Sequence, residues 1–186
     1  MKLTDLHNTL EKWDRKDRRV YNIADLRKMF PGGSYDAFLV QLRKIAQSDD
    51  PVIKRAARGV YVYNRTSRPK THLVEEIAKT IRRGSHNYVS LECALSEHGW
   101  ISQIPVGRLT IMTTGRSAEF CTPWGDIEFT HTHQPWNEFF DDLQDVGRPL
   151  KIASPQRALR DLKRVGRNLQ LVSPEIEQES FDAEFC

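Results

Sequence analysis

The sequence has 186 residues, 39% of them apolar and 9% aromatic, which allows one domain or two small ones and excludes a chain disordered throughout. A net charge of +3 says little, but its distribution is uneven: residues 1–70 hold 16 Lys and Arg against 8 Asp and Glu, and residues 71–186 hold 12 against 17. A basic first third and an acidic remainder point to two domains with different partners.

In chain order, residues 2–14 read as a helix with Leu3, Leu6, Leu10 and Trp13 as its buried stripe. A charged link follows, Asp14 to Arg19, whose cations stand either in solvent or against phosphate. Asn22 is placed to cap a second helix carrying Ile23, Leu26 and Phe30. Pro31-Gly32-Gly33 breaks the chain, and Ser34 caps a third helix running to about Gln47. On a 3.6-residue period Tyr35, Phe38, Leu39, Leu42, Ile45 and Ala46 share one face of that helix, and Asp36, Ala37, Val40, Gln41, Arg43, Lys44 and Gln47 cover the other. Val52–Arg55 and Val60–Tyr63 then form a hairpin about a turn from Ala56 to Gly59, with Lys54, Arg55 and Arg58 around its tip. Three helices followed by a basic hairpin predict a winged helix-turn-helix in residues 1–66, whose last helix enters the DNA major groove while the hairpin reaches the flanking backbone.

Residues 64–70 read as a polar, basic linker, and residues 71–186 as a second, mixed α+β domain. It opens with a helix over 72–83 whose inner side is Leu73, Val74, Ile77, Ala78 and Ile81. Ser90 is placed to cap a helix from Leu91 to His98. A β-rich run from Leu109 to Thr114 and a hairpin about Pro123-Trp124-Gly125 follow. Trp136 to Leu143 reads as helical and Lys151–Ala153 as a short strand. Ser154-Pro155 starts another helix, with Ala158, Leu159 and Leu162 inward and Gln156, Arg157, Arg160 and Lys163 outward. Ser173-Pro174 repeats the start signal ahead of an acidic tail. The predicted class is therefore α+β.

The predicted DNA-contacting set is Tyr35, Asp36, Ala37, Val40, Gln41, Arg43 and Lys44 on the third helix with Lys54, Arg55 and Arg58 on the hairpin. Gln can pair twice with adenine, Arg and Lys reach guanine or phosphate, and Ala37 and Val40 suit a thymine methyl. One such module buries little surface, so binding by two copies to an inverted repeat is expected, with dimerisation on the DNA if not before.

Catalytic signals are weak. His131 and His133 lie two apart on a predicted strand and lack a third ligand unless His98 or Glu92 supplies it across the fold. Asp126 and Glu128 share a strand face, as carboxylates do in metal-dependent nucleases, but without a Lys after them. There is no Gly-rich phosphate loop, no nucleophile elbow and no His-Glu-x-x-His. Cys93, Cys121 and Cys186 are widely spaced without a CxxC. No apolar signal region opens the chain and no apolar run approaches about 18 residues. The expectation is a cytoplasmic binding protein, not an enzyme, with no cofactor, metal or membrane partner. A winged-helix regulator with a ligand-binding or dimerisation domain is the alternative, and a metal-dependent nuclease a more distant one.

Two separated segments carry a resemblance. One is Arg58-Gly59-Val60-Tyr61-Val62, closing the hairpin. The other joins the stretch from Tyr88 to Gly99 (YVSLECALSEHG) with that from Ile152 to Leu162 (IASPQRALRDL). In order and spacing they resemble the AbiEi family, antitoxins of AbiE-type (type IV) bacterial toxin–antitoxin and phage-defence systems. The resemblance spans about Val20 to Leu162. It implies an N-terminal winged helix that represses its own operon, a C-terminal α+β domain that supplies antitoxicity, and a cognate toxin that is nucleotidyltransferase-like. Two features depart from the family's pattern: the cations Arg157 and Arg160 after Ser154, and the acidic tail beyond Ser173. On that basis Gln156, Arg157, Arg160 and Lys163 form the candidate antitoxin surface.

Overall fold

The computed structural model describes residues 2–102 and 106–172; the acidic tail and its Ser173-Pro174 start lie outside the described residues. The fold is mixed α+β, with helices and two sheets. The chain divides into two units, Met1–Ile81 and Arg82–Cys186. No described helix is long and apolar enough to cross a membrane.

The first unit runs α1 (Leu3–Asp14), β1 (Val20–Asn22), α2 (Ile23–Met29), α3 (Tyr35–Ala46), β2 (Ile53–Ala57), β3 (Val60–Tyr63) and α4 (Leu73–Ile81). Its sheet is three-stranded and antiparallel in the order β1-β3-β2. Local chemistry sets the helix starts. Asn22 accepts from Asp25 N at 2.8 Å while the Asp25 carboxylate reaches back to Asn22 N, a reciprocal cap. Ser34 Oγ accepts from Ala37 N to open α3. Leu6, Leu10, Tyr21, Leu26, Phe38, Leu42, Ile53, Tyr61 and Tyr63 close into one core.

Several expectations change here. Leu3 and Trp13, the ends of the α1 stripe, are exposed, because only Leu6 and Leu10 lie over the core. Trp13 instead offers its ring to Lys16 and Arg18, each under 6 Å from the centroid. Tyr35, at the first turn of α3, lies beyond the core and is exposed. β1 has no counterpart among the predicted elements, because three residues between the charged link and the Asn22 cap are too short to show a two-residue period, yet they pair with Val60–Val62. The hairpin strand β2 extends to Ala57, leaving only Arg58-Gly59 at the turn.

The division between units also falls later than the 64–70 segment. Arg19, 1% exposed, sends its guanidinium to Glu76 through Nε (3.0 Å) and Nη2 (2.8 Å) and to the carbonyl of Pro69 through Nη1 (2.6 Å). This fork ties α4 to β1, so residues 71–81 belong with the first unit and not with the second.

The second unit contains β4 (Asn87–Val89), α5 (Leu91–Glu97), β5 (Arg108–Thr113), β6 (Ala118–Thr122), β7 (Gly125–His131), β8 (Leu143–Gln144), β9 (Lys151–Ala153) and α6 (Pro155–Val165). The six strands form one mixed sheet in the order β6-β7-β5-β4-β9-β8. The neighbouring pairs β5–β7 and β4–β9 are parallel. α5 and α6 pack on each other, and Tyr88, Ile111, Phe129, Ile152, Leu159 and Leu162 are buried. α6 begins as predicted, with Ser154 Oγ accepting from Arg157 N and Pro155 first in the helix, and ends at Gly166 in the left-handed conformation. The segment expected as a helix from Trp136 to Leu143 is instead two short 3-10 turns, Trp136–Glu138 and Phe140–Asp142, leading into β8.

Candidate nucleic-acid interface

The sequence-predicted DNA set lies on one helix and one hairpin. Tyr35, Asp36, Ala37, Val40, Gln41, Arg43 and Lys44 of α3 are all exposed, as are Lys54, Arg55 and Arg58. Phe38 and Leu42, on the opposite side of α3, are buried. Val40 is 64% exposed, an apolar side chain with no core to serve.

What holds α3 in place includes a residue that the sequence reading passed over. Arg27, in the last turn of α2, folds across the break: Nη1 donates to the Gly32 carbonyl (2.9 Å) and Nη2 to that of Gly33 (2.7 Å). Its guanidinium also lies 5.5 Å from the Phe38 ring centroid. Gly33 takes a positive φ of 76°, which an L side chain rarely adopts, and so permits the tight entry to Ser34. The hairpin tip is tied down as well, since Ile23 N donates to the Gly59 carbonyl at 3.0 Å. A basic residue near the end of one helix, followed by a Gly-Gly break, is the only sequence signal for the Arg27 brace.

On the second unit the predicted surface divides. Gln156, Arg160 and Lys163 are exposed, and Arg164 stands beside them. Arg160 Nη2 lies 3.6 Å from Asp142 Oδ2 at the surface, a pairing of small energetic consequence. Arg157 is corrected: it is 1% exposed and cannot be part of an outward patch. Its Nη2 reaches Asp161 Oδ1 at 2.5 Å and also bonds Gln134 Oε1 and Tyr88 OH, and its guanidinium lies 4.8 Å from the Phe139 ring centroid. Asp161, fully buried, accepts in addition from Ser90 Oγ (2.8 Å) and Tyr88 OH (3.0 Å).

Ser90 therefore does not cap α5 through its side chain as expected; its hydroxyl is committed to Asp161. Burial opposes the Arg157 charge, but the hydrogen bond and charge of Asp161 outweigh it and hold the guanidinium pKa above its ordinary value. Burial, with Asp161 adding to it, pushes the Tyr88 hydroxyl well above the usual tyrosine range. The signal was present: Arg157 and Asp161 stand four apart beside Ala158 and Leu162, on the same helical stripe.

The alternative metal and nuclease residues are not assembled. Glu128 is buried, accepts from Arg108 Nη1 at 3.1 Å and pairs with Arg167. Glu92 is taken by Arg167 and Asn168, and His98 Nε2 donates to the Ala153 carbonyl. The rings of His131 and His133 meet edge to face, 4.4 Å apart, but no group of three metal-ligating side chains forms among the described residues.

Neither a protein-family model nor a curated protein matches the chain. Among solved structures it is similar to the crystal structure of the RV2827C protein from Mycobacterium tuberculosis, with a TM-score of 0.51 and 14% identity over 86% of this chain. At that identity the likeness is one of fold alone. The chain spans 60% of the length of that protein.

Proposed function

We propose that this protein binds double-stranded DNA through its first unit, a winged helix-turn-helix, and acts as the antitoxin and autorepressor of a toxin–antitoxin operon. The observation that carries the DNA reading is the face of α3, where Gln41, Arg43 and Lys44 stand exposed opposite buried Phe38 and Leu42. The hairpin adds exposed Lys54, Arg55 and Arg58. An amphipathic helix of this width fits the major groove, and a basic ribbon beside it suits backbone phosphates. With the boundary after Ile81, residues 1–81 hold 17 Lys and Arg against 10 Asp and Glu, and residues 82–186 hold 11 against 15, so the contrast of charge survives the shift.

The antitoxin role rests on the resemblance of the hairpin close, the β4–α5 stretch and the β9–α6 stretch to the AbiEi family. In this reading the toxin is nucleotidyltransferase-like, and the antitoxic surface is the exposed side of α6, Gln156, Arg160 and Lys163, without Arg157. The experiment is co-expression of the full chain with the neighbouring toxin gene, scored by growth, beside a reporter driven by the operon's own promoter. Gln41→Ala with Lys44→Ala is expected to release the reporter and leave growth protected. Gln156, Arg160 and Lys163 changed together to Ala are expected to lose protection and keep repression. Loss of both functions in both variants, with the proteins folded by circular dichroism, would falsify the division of labour.

A further inference from the structure

β5 and β6 are consecutive in sequence but not neighbours in the sheet, since β7 lies between them. β5 runs parallel to β7, with Thr113 beside His131. The connection Thr114–Ser117 therefore has to pass across the C-terminal end of β7, over His131.

That passage is pinned from below. Ser117 Oγ accepts from His131 N (2.9 Å), and His131 Nδ1 donates to the Gly115 carbonyl (2.7 Å). Gly115 N donates to Thr113 Oγ1 (3.0 Å), and Arg82 Nη2 donates to the Arg116 carbonyl (2.9 Å). A Cβ at Gly115 would come within 2.9 Å of Ser85 Oγ, so the turn sits as low as a backbone can.

These bonds consume acceptors and leave donors. The Ser117 and Thr114 hydroxyls each accept a backbone N–H, from His131 and His86, and keep their own protons to give. Because a carbonyl only accepts, His131 carries its hydrogen on Nδ1 and leaves Nε2 at the far side of the ring. Arg116 is exposed and has no carboxylate partner among the described residues. Thr114, Gly115, Arg116, Ser117 and His131 line an open concavity of about 350 Å³, and no carboxylate is among them. An exposed guanidinium on a backbone held in place, with two hydroxyl donors in one concavity without acidic groups, is the chemistry of an oxyanion receptor, and the volume is in the range of small-ligand sites.

One more feature narrows the ligand. His86 is bonded to Thr114 both ways, Thr114 N to its carbonyl (3.0 Å) and His86 N to Thr114 Oγ1 (3.1 Å). The His86 ring stacks on Trp136, centroids 4.0 Å apart and planes 16° apart. Trp136 is in turn edged by Phe139 and Phe140. The residue bonded to Thr114 thus carries a flat aromatic stack, the kind of platform on which a nucleobase packs.

We infer that the β5–β6 turn is a phosphate-binding site for a nucleotide unit, with Arg116, Ser117 and Thr114 on the phosphate and the His86–Trp136 stack beside the base. The site is on the second unit and does not depend on the operator reading of α3. Calorimetry and amide NMR of the full chain test it, with inorganic phosphate, 5′-AMP, adenosine and a short single-stranded RNA at one ionic strength. Saturable binding of AMP with shifts at Thr114–Ser117 is expected, weakened about tenfold in Arg116→Ala and less in Ser117→Ala. His86→Ala is expected to bring AMP down towards inorganic phosphate. RNA binding more tightly than AMP, and losing that in Arg116→Ala, identifies a strand as the source of the phosphate; equal binding identifies a free nucleotide. The inference is overturned if neither AMP nor RNA binds, if both variants bind as the parent does, or if adenosine matches AMP. Inorganic phosphate as tight as AMP overturns the nucleobase half.

Discussion

In the first unit Lys44 and Arg58 stand in solvent on the helix and hairpin, while in the second Arg157 is shut away against Asp161, Tyr88 and Gln134. All three are basic residues, two on amphipathic helices and Arg58 at a hairpin turn, and their sequence patterns predict the same outward exposure. The difference is what stands one turn away. Lys44 and Arg58 have no acid at helical or ladder spacing on their own side, so water remains their best solvent. Arg157 has Asp161 four residues on, with the Tyr88 hydroxyl and Gln134 Oε1 also on its Nη2, and Asp161 is itself bonded by Tyr88 and Ser90, so the pair is held inside one hydrogen-bonded cluster. Arg19 in the first unit follows the second pattern, with Glu76 and the Pro69 carbonyl as its partners.

The largest effect expected from this contrast is on stability. Arg157→Ala leaves Asp161 buried without its cation and is expected to destabilise the second unit by about 3–5 kcal/mol in urea unfolding. A loss under about 1 kcal/mol would break the comparison, since Arg157 would then behave as a surface cation. Operator binding comes next. Gln41→Ala or Lys44→Ala is expected to cost roughly 1–3 kcal/mol of discrimination between operator and scrambled DNA. Arg55→Ala or Arg58→Ala is expected to weaken both DNAs about equally and to lower the slope of log affinity on log salt by about 0.9. None of these four should move the unfolding midpoint appreciably, because exposed substitutions stay within about 0.5 kcal/mol.

The alkaline limb sharpens the picture of the buried cluster. Tyr88 ionises at a higher pH in the folded protein than in the unfolded chain, where an ordinary tyrosine titrates near pH ~10. Its contribution is therefore complete below about pH 10 and is lost as pH rises above that, because the unfolded chain releases the proton first. Tyr88→Phe is expected to shallow the fall in stability above about pH 10 in a pH series of melts. Tyr21 and Tyr63, also raised by burial, still contribute to the slope. The smallest effect is at Arg160: replacing it with Ala is expected to change stability by less than about 1 kcal/mol, as its contact with Asp142 is exposed.

Helix starts were the most legible part of the chain. Asn22, Ser34 and Ser154-Pro155 each open a helix where the sequence placed it, because a cap is a bond between residues three apart and needs no tertiary partner. The exposed set on α3 was legible for a related reason, as a 3.6-residue period separates Phe38 and Leu42 from Gln41 and Lys44. Stripe ends were less so. Leu3 and Trp13 satisfy the period and remain exposed, because a period tells which side faces inward and not how far the core extends.

Sequence alone, then, determined the helices that start at Asn22, Ser34 and Ser154, the exposed face of α3 and the α+β class, since each follows from contacts a few residues apart. Tertiary structure decided where the units divide, through Arg19 reaching Glu76 across 57 positions. It decided that Ser90 serves Asp161, 71 residues away, in place of its own helix. It also decided that the β5–β6 turn crosses His131, a consequence of β7 inserting between two strands adjacent in sequence. Such pairings carry no period and no local signature. A buried charge is stable only if it is paired; Arg157 finds Asp161 within its own helix, but nothing in the sequence around Arg19 specifies Glu76.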